Sequence, residues 1–246
     1  LEKEPGAVKY IRYWKENKIH GKGIYYFENG EKFAGDFFEG CKNGRGKIFY
    51  ANGNLKFFGD FLDDKINGQG IFYFPTGEKY EGDWQDNKKE GKGILLDAKG
   101  KPKYIGEFKN DKFDGYGIYY FERKGKRCSY EGDFKFDLFN GTGKIFDDLG
   151  NLEYEGSFKN GLYHGYGVYI TKDYERFECS WIENKRNGKG CIFYADRSLK
   201  YEGDFIDDMI EGKGIYYFPN GEVYSGSFSN NTFCGFGIMI FENKEF

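Results

Sequence analysis

Proline is nearly missing from this chain: 4 residues in 246, beside 5 alanines, 2 histidines and 2 methionines. Each shortage removes a class of structure. Scarce Pro, without Gly at every third position, excludes a collagen helix. Scarce Ala beside 38 Gly argues against long helices, since Gly costs about 1 kcal/mol per helical position relative to Ala. No apolar run approaches the ~18 residues of a membrane-crossing helix. The five cysteines are scattered and include no Cys-x-x-Cys, so neither a disulfide framework nor a zinc site is expected. A reducing, cytoplasmic compartment is the natural reading. The 37 Lys+Arg and 40 Asp+Glu read as interspersed, without the basic footprint expected of a nucleic-acid or anionic-lipid binder. The chain opens on Leu1, with neither an initiator Met nor a signal-peptide pattern, and is read as a fragment of a longer protein.

What is abundant is Gly and large rings: 27 Phe, 22 Tyr and 3 Trp make 21% of the chain. They are periodic. A Gly-x-Gly recurs ten times, beginning at Gly21, Gly44, Gly68, Gly91, Gly115, Gly141, Gly165, Gly188, Gly212 and Gly235. Eleven residues before each lies an aromatic: Tyr10, Phe33, Phe57, Tyr80, Tyr104, Tyr130, Tyr154, Phe177, Tyr201 and Tyr224. Four residues later lies a second: Trp14, Phe37, Phe61, Trp84, Phe108, Phe134, Phe158, Trp181, Phe205 and Phe228. Between the two, eight of ten repeats carry Gly, the exceptions being Arg12 and Cys179. All length variation falls after the Gly-x-Gly, in turn-like segments such as Pro75-Thr76-Gly77-Glu78, and the longest, around Glu122 to Ser129, makes the single 26-residue spacing.

Each repeat therefore holds two short strand-like stretches joined by six residues, which suits a hairpin. Pairing the second aromatic with the first Gly of the same repeat places both aromatic columns on one face. Rings then lie across positions that have no side chain. A slip of one residue exchanges the faces. The second face carries acidic residues (Asp36, Asp60, Asp83, Glu107, Asp133, Asp204) opposite Lys22, Arg45, Lys92, Lys189 and Lys213, where cross-strand pairs contribute roughly 0.2–1 kcal/mol each. The same face carries Tyr26, Phe49, Tyr73, Tyr120, Phe146, Phe193 and Tyr217. A lone hairpin is marginal in water, but stacked hairpins share one sheet. The expected fold is all-β: an elongated solenoid or ribbon of tandem antiparallel hairpins over residues 1–246, with no helical domain.

Tyr154-Glu155-Gly156-Ser157-Phe158 through His164-Gly165-Tyr166-Gly167, repeated ten times in phase over about residues 10–246, resembles the MORN repeat (membrane occupation and recognition nexus). The resemblance implies a β-hairpin array that serves as a scaffold or adaptor in cytoskeletal, ciliary or membrane-junction structures. It also implies a groove for a partner's helix or extended segment, and self-association through terminal repeats. Some members carry the array on a lipid kinase or methyltransferase, and lipid binding is attributed to the family.

The residues themselves point away from catalysis. His20 and His164, the only histidines, each precede a Gly-x-Gly, six repeats apart. At roughly 9.6 Å per hairpin they cannot share a site and read as structural turn residues. No Gly-Lys-Ser/Thr follows any Gly-x-Gly, so these are not phosphate loops. Cys179 and Cys191 lie near one another across one hairpin, where a disulfide is geometrically conceivable. No catalytic, metal or cofactor residues are expected. Tyr26, Phe49, Tyr73, Tyr120, Phe146, Phe193 and Tyr217 are the candidate partner-binding face, because an uncovered apolar stripe tends to mark an interaction site. The leading expectation is a non-enzymatic scaffold of the cytoskeleton, cilium or axoneme that binds protein partners and no nucleic acid. A phosphoinositide- or membrane-binding module, or a regulatory segment of a larger enzyme, are the alternatives.

Overall fold

The computed structural model describes residues 10, 11 and 14–241, with side chains from residue 14. Arg12 and the segment before Tyr10 lie outside the described residues. Those described form 22 strands and no helix. They divide into two compact units, Leu1–Tyr119 and Tyr120–Phe246, each holding five of the ten repeats. From Gly21 on, the hairpins within each unit follow chain order, every strand antiparallel to the next, while Tyr10–Ile11 pairs with Gly21–Tyr26 and Trp14–Lys15 with Lys18–Ile19.

The repeat beginning at Tyr80 shows the rule. Its outgoing strand is Lys79–Gln85 and its return strand Lys88–Leu96. The ladder pairs Tyr80 with Leu95 and Gly82 with Gly93, as the sequence predicts. Near the turn it departs: Trp84 pairs with Lys89, not Gly91, and the return strand bulges by two residues. The six-residue connection is in fact a two-residue turn, Asp86-Asn87, followed by more strand. Both turn residues are left-handed, at φ 50° and 67°. This type I′ geometry favours Asn, Asp and Gly, and it recurs at Asp63-Asp64, Asn160-Gly161 and Asp207-Asp208. The predicted pairing of second aromatic with first Gly does exist, but between repeats: Gly91 pairs with Phe108 and Lys92 with Glu107.

The bulge explains the acidic column. The Asp83 carboxylate accepts the Lys92 N–H at 2.8 Å, Asp60 accepts that of Gln69 at 3.1 Å, and Asp133 that of Thr142 at 2.9 Å. These carboxylates satisfy amides that the bulge removes from the ladder. The expected ion pairing of this column occurs between repeats rather than within one, with Arg45 Nε 3.4 Å from Asp60 of the next repeat.

Glycines pair with glycines across successive strands. In the first unit the row runs Gly23, Gly35, Gly46, Gly59, Gly70, Gly82, Gly93, Gly106, Gly117. In the first unit Phe33, Phe57, Tyr80 and Tyr104 lie flat over this row. A Cβ on Gly93 would stand 2.4 Å from Tyr80 Cε2, and one on Gly46 would stand 2.3 Å from Phe33 Cε2. Phe33, Phe57, Tyr80, Tyr104, Tyr130, Tyr154 and Tyr201 are wholly buried as a result. Where the ring is Tyr, its hydroxyl donates to the carbonyl three residues on: Tyr80 to Asp83 at 3.0 Å, Tyr104 to Glu107 at 2.8 Å, Tyr130 to Asp133 at 2.8 Å. The second aromatic meets the first edge-on, as in Tyr80–Trp84 at 5.2 Å and 85°, a favoured geometry for ring pairs.

The second unit breaks the row once. Cys179 pairs with both Gly167 and Gly190, and its Cβ occupies the space over Gly190. Cys179 is fully buried while Phe177 is only half-buried. The thiol takes the seat that the ring holds in other repeats. Cys191 pairs with Glu178, one residue out of step with Cys179. Neighbouring residues of a strand point to opposite faces, so the two thiols lie on opposite faces, and both are free.

Candidate interaction surface

The first face is closed by a third column, which sequence reasoning assigned to the hairpin connection. It lies nine residues after each first aromatic. Phe113 stacks on Tyr104 at 3.8 Å, Phe139 on Tyr130 at 3.8 Å, and Tyr163 on Tyr154 at 3.7 Å. In other repeats a cation lies over the ring instead: Lys89 Nζ is 5.6 Å from the Tyr80 centroid, and the Arg186 guanidinium 4.7 Å from that of Phe177. The rings are thus sandwiched between glycines below and a ring, an Ile or an alkyl stem above.

This column also joins repeats. Its backbone is gripped by the turn of the next repeat. Ile66 N–H donates to Asn87 Oδ1 at 2.8 Å, and Asn87 N–H returns to the Ile66 carbonyl at 3.0 Å. The same two-point clasp links Lys89 with Asp111, Tyr163 with Asn184, Arg186 with Asp208, and Ile210 with Asn231.

The second face lies on the other side of the sheet from these rings. It holds the predicted residues, in two separate units. In the first, Tyr26 and Phe49 both pair with Lys32, and Tyr73 pairs with Lys79. In the second, Arg176 pairs with Phe193, and Arg127 lies 4.6 Å over Tyr120. Phe146 pairs with Ser129, and the Tyr217 hydroxyl is 2.9 Å from Glu202 Oε1. Tyr26 is exposed, and the other six are half-buried. The Lys32 ammonium sits 4.9 Å over Phe49 and the Arg176 guanidinium 5.6 Å over Phe193. These rings are therefore partly engaged by cations and are less bare than the pattern suggests.

The hollows of this face lie beside that row, over the glycines. One, of about 500 Å³, is bounded in the first unit by Ile24, Ala34, Asp36, Arg45, Lys47 and Phe58. Another, of about 750 Å³, is bounded in the second unit by Tyr166, Glu178, Cys191, Glu202, Ile215 and Phe236 among others. None of the seven predicted rings lines either one. The middle row of the face differs between units. In the first it reads Ile24, Ala34, Lys47, Phe58, Ile71, Glu81, Ile94, Ile105, Ile118. In the second, Glu155, Val168, Glu178, Cys191, Glu202 and Ile215 follow one another. Burial raises the Cys191 thiol pKa, with the Glu202 and Glu178 carboxylates adding to it, so the thiol stays protonated at neutral pH. No cluster of His, Cys, Asp and Glu able to hold a metal occurs among the described residues.

One feature escaped the reading of interspersed charge. Arg123-Lys124-Gly125-Lys126-Arg127 places four cations in five residues, at the turn of the longest inter-repeat connection. The signal was local and vanished in the net balance.

Ten hairpins, each with a ring seated on paired glycines, match the MORN-repeat family model at 13–32, 33–55, 57–79, 80–101, 104–126, 130–148, 154–176, 180–198, 201–223 and 224–245. The chain belongs to the MORN-repeat family. MORN repeats make a repeat-based interaction or scaffold module. The MORN chain has no match among curated proteins. Among solved structures it is similar to BamB from Moraxella catarrhalis at 12% identity and TM-score 0.20, covering 86% of this chain and 80% of that one. It is similar also to a streptogramin B lyase at 14% identity and TM-score 0.16, covering 92% and 83%. Scores this low carry no argument about this chain.

Proposed function

We propose that this MORN array is a non-catalytic scaffold that holds protein partners on its second face, in a cytoskeletal or ciliary assembly of the cytoplasm. The observation that carries the reading is the middle row of the first unit. Phe58, Ile71, Ile105 and Ile118 are half-buried and Ile94 is 37% exposed, with no second layer over them among the described residues. Flanking charges of both signs (Lys22, Asp36, Arg45, Asp60) frame that stripe and set the orientation of whatever lies on it. A helix or extended segment crossing the strands from Phe58 to Ile118 meets an apolar position on every strand but that of Glu81, at steps of about 4.8 Å. The test places a photo-crosslinking residue at Phe58 and, as a control on the buried face, at Phe61. Crosslinking in cells should trap defined proteins from the first position only. Equal trapping from both positions, or a protein that stays diffuse with no trapped neighbour, overturns the reading.

A further inference from the structure

Three departures from the repeat rule meet at one place in the second unit. The first is the long basic arm, where the strands run on to Arg123 and resume at Lys126 around a left-handed Lys124-Gly125 turn. The second is Leu149. It sits mid-turn where other repeats place polar residues such as Asn29, Asn52, Thr76 and Asn220, and it is 79% exposed. The third is Tyr174, left-handed at φ 62° where six other turns have Gly, and 66% exposed. A bulky residue in that region costs roughly 1–2 kcal/mol, and a side chain exposed over most of its surface recovers little of it. All three line one hollow of about 720 Å³.

The charges in this hollow are sorted. The Arg123 guanidinium donates both its terminal nitrogens to the Glu153 carboxylate, and Lys126 Nζ lies 2.9 Å from Asp148. Those pairs fasten the arm to the following repeat. The Asp147 carboxylate is spent on its own turn, accepting the Leu149 and Asn151 amides at 2.9 and 2.8 Å. Lys124 and Lys172 also line the hollow, are exposed, and make no ion pair among the described residues. What remains is positive charge on the rim and two apolar side chains, Leu149 and Tyr174, presented beside it.

We infer that this hollow is a docking site for an acidic protein segment carrying one large apolar side chain. Its carboxylates would face Lys124 and Lys172, and its apolar group would lodge between Leu149 and Tyr174. The site is separate from the second-face rows and goes beyond the scaffold reading. A concave site whose carboxylates are already paired, leaving Lys124 and Lys172 beside two apolar side chains, favours an inserted acidic segment over a flat bilayer.

The experiment measures fluorescence anisotropy of a labelled short peptide of Glu residues around one central Phe, titrated with the full chain. Controls are the peptide with Lys for Glu, the peptide with Gly for Phe, and vesicles of phosphatidylcholine with phosphatidylserine. Lys124→Glu with Lys172→Glu should weaken the acidic peptide about tenfold or more at low salt, by reversing rim charge. Tyr174→Gly and Leu149→Asn restore the residues usual in the other repeats. They should weaken binding while leaving thermal stability equal or higher, a combination that a purely structural role does not produce. The inference is overturned if the acidic peptide binds no tighter than its controls. It is overturned equally if Tyr174→Gly and Leu149→Asn bind like the parent, or if only the vesicles respond to the charge reversals.

Discussion

Replacing Gly93 by Ala tests the seating of rings on bare backbone. Gly93 has no left-handed backbone requirement, and the atoms nearest a new Cβ all belong to Tyr80, at 2.4, 2.5 and 2.6 Å. Tyr80 is wholly buried and its hydroxyl is bonded to the Asp83 carbonyl, so the ring cannot give by a few tenths of an ångström. Unseating it forfeits about 1.5–3 kcal/mol of burial and a hydrogen bond worth about 0.5–1.5 kcal/mol. Gly93→Ala should therefore cost about 2–4.5 kcal/mol, the sum of those two losses. The decisive arm is a double-mutant cycle with Tyr80→Ala. That substitution alone should cost about 3–5 kcal/mol, as ring removals do, but in its background the added Cβ enters empty space and should cost under about 1 kcal/mol. Urea unfolding followed by tryptophan fluorescence and by far-ultraviolet circular dichroism gives all four corners. Equal cost of Gly93→Ala in both backgrounds would refute the seating argument. The molecule contains a version of this change in Cys179, beside which Phe177 has lost its seat.

The clasp predicts a graded series at the hairpin turn. Asn87→Gly keeps a favourable Asp-Gly turn but strips the acceptor from the Ile66 amide, and should cost about 0.5–1.5 kcal/mol; Asn87→Ala adds left-handed strain of about 1–2 kcal/mol. Faster amide exchange at Ile66 in the glycine variant checks it, and unchanged exchange counts against the clasp. Tyr80→Phe should cost about 0.5–1.5 kcal/mol by losing one bond while keeping the ring in place. Alkaline pH provides a further test. Burial raises the pKa values of Tyr80, Tyr154 and Tyr163, that of Tyr201 to about 12, and that of Cys179 to about 12. The fold holds the protonated forms, so their stabilisation is full below about pH 9–10, where free thiols and phenols ionise. It is lost as pH rises toward 12. Tyrosinate absorbance from these groups should appear together with loss of dichroism; titration near pH 10 with dichroism intact would contradict it.

The fold was legible because the two aromatic columns and the glycines are chemically uniform, and counting finds them. The third column was not. Lys42, Ile66, Lys89, Phe113 and Arg186 share no property that a pattern search weighs, yet all cover a ring, since a Lys or Arg stem is as apolar as an Ile. Misplacing it hid the true turn as well. Asp63-Asp64 and Asp86-Asn87 carry the composition of a left-handed turn, but a six-residue connection gave no reason to look for a two-residue one. The second face was legible as a face and not as a site. Alternation assigns Tyr26 and Phe49 to the second side, but only geometry places a Lys32 ammonium over Phe49 and sets the hollows above the glycines.

The unbroken glycine row of the first unit has a mechanical consequence. Rings press on it from one side, and the other side carries no side chain at all. Along that line the sheet is one backbone thick, a crease crossing nine strands at right angles to their length. Flexing about a crease leaves every ladder hydrogen bond intact, because the fold line runs parallel to them. Any bend of the second face therefore falls on this line rather than between strands, while the sandwiched rings keep the register from slipping. Cys179 places a rivet in the corresponding line of the second unit, and that stretch should be the stiffer.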